Sequence, residues 1–187
     1  MKTEIECRFL DVDVKDFIGK LKLCNARFVG DWLQIRNCYD FNPVRENSWI
    51  RLRTNGSETT LTIKEINSDK IDGTKESEII VSDFNATDEI LNKLGYHARS
   101  KQMNRRIRFM LDGVEIDVDF WPHIPAYVEF EGESAESIYS VCDKLGVDKD
   151  KLVSIGVEDV YRHYGLTIKN MPVMELPEAV QKQEFEL

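Results

Sequence analysis

The chain has 187 residues, 42% hydrophobic and 32% charged, which is enough to bury the core of one domain and leave a tail. A net charge of −9 argues against non-specific capture of nucleic acid or of an anionic membrane, while leaving room for a local basic pocket. No apolar run is long enough to span a membrane, the chain enters a charged strand at once with no secretory leader, and the cysteines (Cys7, Cys24, Cys38, Cys142) form no CxxC pair, so a cytoplasmic protein with reduced thiols is expected.

The opening stretch, KTEIECRFL, alternates without a slip: Glu4, Glu6 and Arg8 point one way, Ile5, Cys7 and Phe9 the other. Val14, Phe17, Ile18 and Leu21 then fall at helical spacing behind Asp13, a candidate N-cap. Extended segments are predicted around 27–41, 49–54 and 59–66, the last two joined through Asn55-Gly56, a hairpin signal. A strand over 75–81 precedes a helix from about Thr87 to Leu94, which stops at Gly95. Strands at 96–111, 114–120 and 126–132 follow; the first two meet at Asp112-Gly113, and the prolines of WPHIPA separate the last two. A helix starting at Ser134 buries Ile138, Val141, Cys142 and Leu145 and ends at Gly146, and a short helix lies near 157–164. This gives a domain over 1–168 and a polar, loosely attached tail over 169–187. KTEIECRFLDVD and KESEIIVSDFNATD both read as a Glu-x-Glu strand, an acidic cap and an amphipathic helix, which hints at a duplicated unit.

The same parity test applies along every strand. Arg51 and Arg53 oppose Ile50 and Leu52; Thr62 and Lys64 oppose Leu61 and Ile63; Glu76 and Glu78 oppose Ser77 and Ile79. Arg106 and Arg108 oppose Ile107 and Phe109; Glu115, Asp117 and Asp119 oppose Ile116 and Val118; Glu129 and Glu131 oppose Val128 and Phe130. Two architectures produce this pattern. One is an antiparallel barrel or sandwich with an apolar interior and a charged, solvated exterior, which pattern alone favours. The other is inverted: charged faces line a tunnel and apolar faces lie outward under helices. The choice of base favours the second, because these strand faces carry mostly arginine, whose planar fork suits bidentate capture of phosphate oxygens, where a solvated face is well served by lysine. Glu4 and Glu6, at a strand spacing of roughly 7 Å, could share a divalent ion.

Glu4-x-Glu6-x-Arg8 resembles the ExExK signature of the CYTH superfamily, the triphosphate tunnel metalloenzymes. The resemblance runs on through Tyr39-Asp40, Arg51-x-Arg53, Lys64, Glu76-x-Glu78, the cluster Arg105, Arg106 and Arg108, Asp119, and Glu129-x-Glu131, covering residues 2 to about 165. FWPHIPAYVEFEG looks like the variant of a bacterial branch described as class IV adenylyl cyclase-like. Three departures stand out: Arg8 replaces the usual lysine, Asn104 stands where the lysine of a Lys-x-Arg motif is expected, leaving its basic contact to Arg105 or to nothing, and the histidine-containing N-terminal motif associated with cyclases is missing.

The resemblance implies an α+β, mainly β fold: an eight-stranded antiparallel barrel, or tunnel, with a charged interior and helices packed outside. It implies Mg²⁺ or Mn²⁺ held by Glu4, Glu6, Asp119, Glu129 and Glu131, a choice the all-oxygen donor set supports. Arg8, Arg51, Arg53, Lys64, Arg105, Arg106 and Arg108 would grip phosphates, Glu4, Glu6, Lys64 and Arg106 would carry catalysis, and Glu76, Glu78 and Asp117 would be further tunnel acids. The expected activity is metal-dependent hydrolysis of a small-molecule triphosphate, inorganic or organic, by a protein that could form a homodimer. The alternatives are a class IV adenylyl cyclase converting ATP to cyclic AMP and pyrophosphate, and a polyphosphate-binding module without turnover. Trp49, Trp121 and Tyr127 could stack on an organic group or pack the core; Tyr39-Asp40 could take part in catalysis or simply end a strand; and the three histidines lack metal-ligand spacing.

Overall fold

The computed structural model describes residues 1–187, the side chain of Asn170 excepted. The opening stretch forms β1 (Lys2–Glu4) and β2 (Glu6–Phe9), followed by α1 (Val14–Leu23), β3 (Arg27–Tyr39), β4 (Ser48–Thr54), β5 (Thr59–Ile66) and β6 (Thr74–Val81). Then come α2 (Phe84–Lys93), β7 (Ala98–Leu111), β8 (Val114–Phe120), β9 (Tyr127–Glu131), α3 (Ala135–Leu145), β10 (Leu152–Val153), α4 (Val157–His163), β11 (Val173–Met174) and α5 (Glu178–Gln181). The sheet runs β1-β6-β5-β4-β3-β7-β8-β9-β2-β10, antiparallel throughout, with β11 added in parallel to β7.

That order closes on itself. β1 pairs with β6 and β2 with β9, yet the two are halves of one extended segment. At the break between them, the Ile5 carbonyl accepts from the Gly132 N–H beyond β9, while the Glu6 N–H donates to the Ile71 carbonyl ahead of β6. The expected eight strands therefore become eleven hydrogen-bonded segments, because the first strand is split at Ile5 and the two-residue β10 and β11 join from outside. The fold class stands: a mainly β barrel with helices around it.

The helices cover the outer face. Asp13 caps α1 by accepting from the Asp16 N–H, and Phe17, Ile18 and Leu21 of α1 lie on Cys7, Ile107, Phe109, Val118 and Phe130 of the sheet. α3 adds Ile138, Val141, Cys142 and Leu145 to the same cluster. Full burial of each such side chain stabilises the fold by about 1.5–3 kcal/mol. α2 starts three residues earlier than its hydrophobic spacing suggests, because Asp83 is its N-cap, and it seats Leu91 over Tyr39, Ile50 and Leu52. The apolar core thus lies between sheet and helices, and the reading with an apolar barrel interior is overturned.

The tail is not loose. β11 pairs Val173 with Lys101 and Met174 with Gln102, Met174 and Leu176 are fully buried, and Phe185 stacks obliquely on Phe120 at 5.6 Å. Its polar composition hides these few apolar anchors. The duplicated pattern is also visible: strand, helix and long strand occur twice, and the two long strands, β3 and β7, pair with each other across the barrel's longest ladder.

Candidate functional site: a charged tunnel

The inner face of the barrel is mostly polar along β1 to β9. Arg106 on β7 forms a fork with Asp119 on β8 (Nε to Oδ1 2.7 Å, Nη2 to Oδ2 2.5 Å) and reaches Asp117 at 2.6 Å and Glu129 on β9 at 3.1 Å. These pairs follow from register, since Arg106 faces Asp119 and Arg108 faces Asp117 across the β7–β8 ladder. Arg108 makes its own fork with Asp117 (2.8 and 2.7 Å) and touches Glu115 at 2.6 Å. From β2, Arg8 contacts Glu129 at 2.5 Å and Glu6 at 3.3 Å and donates to the Ile155 carbonyl. Burial opposes the charge on both Arg8 and Arg106, but the carboxylates outweigh it and hold each well above the ordinary arginine value. Glu129 responds in kind: against burial, Arg8 and Arg106 hold it well below the usual carboxylate range.

The opposite wall behaves differently. On β4, Arg51 meets Glu78 at 3.1 Å and Glu76 at 3.8 Å, and Arg53 has only Glu78 at 3.6 Å. Arg51, then burial, Arg36 and Arg106 push Arg53 down to about 9. Lys64 on β5 bridges Glu4 at 2.9 Å and Glu76 at 3.3 Å. Glu78 also accepts from the Thr62 hydroxyl at 2.6 Å; burial opposes its charge, but Thr62, Arg51 and Arg53 lower it overall. Here guanidiniums crowd one another with few acids between them.

A surplus of carboxylate gathers at β1, β2, β8 and β9. Register places Glu131 beside both Glu6 and Glu115. Burial, followed by Glu4, Glu115, Glu129 and Glu6, pushes Glu131 up to about 7, and the cation in reach is the exposed Lys2 at 3.9 Å. Among the described residues no three donors are closed onto one point as a formed metal centre. The donor chemistry nevertheless fits a hard divalent cation, because crowded oxygen ligands that repel each other's charge are relieved by Mg²⁺ or Mn²⁺. Of the five carboxylates expected at a metal, Glu131 is the least neutralised, Glu4 is held by Lys64 and Glu6 lies at 3.3 Å from Arg8, whereas Asp119 and Glu129 are engaged more closely by Arg106 and Arg8.

One expected site residue is elsewhere. Arg105 lies on the outer face, forked to Asp31 (2.8 and 2.6 Å), donating to the carbonyls of Val180 (2.9 Å) and Gln183 (2.6 Å), and resting near Phe120 and Phe185. It fastens the tail and cannot grip a phosphate in the tunnel. Tyr39 also faces outward, donating to Asp88 of α2 at 2.5 Å, which fits its role as a strand end. Trp121 and Tyr127 are buried with Tyr161 of α4 at one end of the tunnel, and Trp49 is half-buried opposite Lys64. At the other end a crevice of about 80 Å³ is lined by Trp32, Gln34, Arg53, Asn55, Glu58, Thr60 and Arg108. A larger hollow of about 500 Å³, by Ile5, Ile71 and the start of α3, is outside the barrel and away from this chemistry. Sequence reasoning missed Arg36 and Gln34, both buried and both on the inner face beside Asn104, which it noted only as a departure from the Lys-x-Arg motif. Their signal was the parity of Gln34, Arg36 and Cys38 against exposed Leu33 and Ile35.

Geometry of this kind defines a charged-lumen antiparallel barrel wrapped in helices. The chain belongs to the CYTH domain family, whose model matches residues 2–153. Among solved structures it is similar to a conserved hypothetical protein of Pyrococcus furiosus, with 24% identity, a TM-score of 0.71 and coverage of 83% of this chain and 98% of that one. A candidate adenylate cyclase from Vibrio parahaemolyticus superposes with a TM-score of 0.71 at 12% identity, covering 85% of this chain and 97% of that one. A Hippeastrum candidate adenylyl cyclase, described as revealing a dominant triphosphatase activity, gives a TM-score of 0.58 at 13% identity, with 89% and 97% covered. No curated protein matches the chain. No helix among the described residues is long and apolar enough to cross a membrane.

Proposed function

We propose that the tunnel binds a triphosphate together with Mg²⁺ or Mn²⁺ and hydrolyses it. The observation that carries this reading is an imbalance within one tunnel: Arg53, beside Arg51 and Arg36, has a carboxylate no nearer than Glu78 at 3.6 Å, while Glu131, flanked by Glu6 and Glu115, has a cation no nearer than the exposed Lys2 at 3.9 Å. A polyphosphate carrying a divalent ion neutralises both at once. Arg51, Arg53 and Lys64 would hold phosphate oxygens, with guanidinium donors placed where negative charge develops on the leaving phosphate. Glu4, Glu6 and Glu131 would hold the ion, which when bound lowers the charge on the phosphate chain and favours attack of water on the terminal phosphorus. Lys64, shared between Glu4 and Glu76, links the metal side to the phosphate side. Arg106 and Arg8, locked by Asp117, Asp119 and Glu129, keep the acidic strands in register around the reacting group.

Hydrolysis is preferred to cyclisation because cyclisation also needs a seat for the nucleoside, and Trp121 and Tyr127, which could stack on a base, are buried with Tyr161 of α4. The test incubates the purified protein with tripolyphosphate, thiamine triphosphate and ATP, with either metal, and identifies every product. Orthophosphate release supports the proposal; cyclic AMP with pyrophosphate from ATP makes the protein a cyclase, and binding without any product makes it a polyphosphate carrier. Glu6→Gln keeps size and hydrogen bonding but removes charge. It should cut turnover by roughly two orders of magnitude or more and recover partly at high Mn²⁺. Turnover like wild type in every metal would remove the opening strand from the chemistry.

A further inference from the structure

The Lys-x-Arg motif expected at 104–106 is Asn104-x-Arg106 in this chain, so one positive charge is missing from β7. The neighbouring strand carries one in its place. The β3–β7 ladder sets Gln34 opposite Asn104 and Arg36 opposite Gln102, which brings the Arg36 guanidinium diagonally to position 104. Its Nη2 donates to Gln34 Oε1 at 2.8 Å and to Asn104 Oδ1, and its guanidinium carbon sits 4.6 Å over the Trp121 ring.

Arg36 is only 6% exposed, its Nε has no partner, and among the described residues no carboxylate pairs with it. Burial and the nearby Arg51 and Arg106 bring it down to about 10, still charged at neutral pH. A buried cation held by neutral amides and an aromatic face is costly unless an anion completes it. The available acids are already engaged: Asp119 by Arg106 and Glu78 by Arg51 and Thr62. Gln34, Asn104 and Trp121 fix the plane of the fork.

We infer that Arg36 supplies the phosphate-binding charge that Asn104 does not, so that the contact has moved from β7 to β3 while keeping its place in the tunnel. This rests on the triphosphate reading above. Arg36 then completes an arginine wall with Arg51 and Arg53, and Asn104 becomes the residue that orients it.

The test measures binding of inorganic tripolyphosphate with Mg²⁺ by calorimetry, in wild type, Arg36→Gln, and Arg36→Gln with Asn104→Lys. Arg36→Gln should weaken binding roughly 10- to 100-fold, the range for a lost charge-assisted contact, without lowering the melting temperature of the free protein. Adding Asn104→Lys to that variant should restore most of the affinity, since the lysine returns the charge to its expected strand. Unchanged binding in Arg36→Gln overturns the inference. So does a folded Arg36→Gln whose lost binding Asn104→Lys fails to restore, because Arg36 would then act only by supporting Trp121. Should Arg36→Gln not fold, Arg36→Lys decides: binding within about tenfold of wild type supports the inference, and complete loss overturns it. A wild-type protein that binds no tripolyphosphate at all instead overturns the triphosphate reading, which keeps the two failures apart.

Discussion

Arg106 and Arg53 sit in the same tunnel, both largely buried, and electrostatics moves them in opposite directions. Arg106, on the β7–β9 wall, is gripped by Asp117, Asp119 and Glu129 and held well above its ordinary value. Arg53, on the β3–β4 wall, has Glu78 at 3.6 Å and other arginines close by, and is pushed down to about 9. A guanidinium in the first setting is a clamp for the sheet; in the second it is a charge with one carboxylate in reach. Like charges in one tunnel thus differ by the balance of partners around them.

The sharpest way to break this contrast is to delete one arginine from each wall. Arg106→Ala strands three buried carboxylates and should cost about 3–5 kcal/mol of unfolding free energy in urea, whereas Arg53→Ala should change it by no more than about 1 kcal/mol because it relieves repulsion. Similar losses in both variants would erase the distinction. Next in size is ligand stabilisation: tripolyphosphate with Mg²⁺ at a hundred times its dissociation constant should add about 2.7 kcal/mol, seen as a clear rise in melting temperature, with Mg²⁺ alone doing little. An unmoved melting curve at millimolar ligand would mean that the arginine wall is not short of an anion.

Glu131 sharpens the acidic half of the comparison. Its carboxyl is raised from 4.5 unfolded to about 7 folded, so between those values the folded state holds its proton more tightly. Stability without metal should therefore be greatest below about pH 4.5 for this group and fall by at most about 3 kcal/mol as the pH rises to about 7.5, less what solvent screens at this half-buried carboxyl. Glu131→Gln should remove that fall, and an unaltered pH profile in the variant would place the strain elsewhere. The smallest effect is Arg53→Lys, which keeps charge but loses the fork: tripolyphosphate should bind about 1–2 kcal/mol more weakly, at any Mn²⁺ concentration. Rescue by Mn²⁺ would move Arg53 from the phosphate side to the metal side.

Much of this was legible in residue order. Period-two alternation set Glu6, Arg51, Arg106 and Glu129 on one face and Cys7, Leu52, Ile107 and Phe130 on the other, and the structure keeps that division. What alternation cannot state is which face is inside, because an inverted barrel and an ordinary one share the pattern; the preference for arginine and the resemblance to the CYTH motifs spoke for the tunnel. Arg105 was misplaced against its own parity, since it alternates with Arg106 and shares a face with Ile107. Arg36 escaped notice because β3 has register shifts near Phe28 and Cys38 that blur its alternation at both ends. The tail misled through composition, where Met174 and Leu176 are outnumbered by charges yet decide its packing.

The split at Ile5 gives β1 and β2 partners that lie far along the chain. Arg8 must meet Glu129, 121 positions later, before β2 has its partner in β9, and Glu4 must find Lys64 before β1 is anchored beside β6. On the ribosome, at about 5–20 residues per second, this strand would wait several seconds for β9. Its alternating charges keep it from pairing with other chains meanwhile. Closure of the ring and assembly of the acidic rim are the same event, so a chain released before β9 emerges would carry neither.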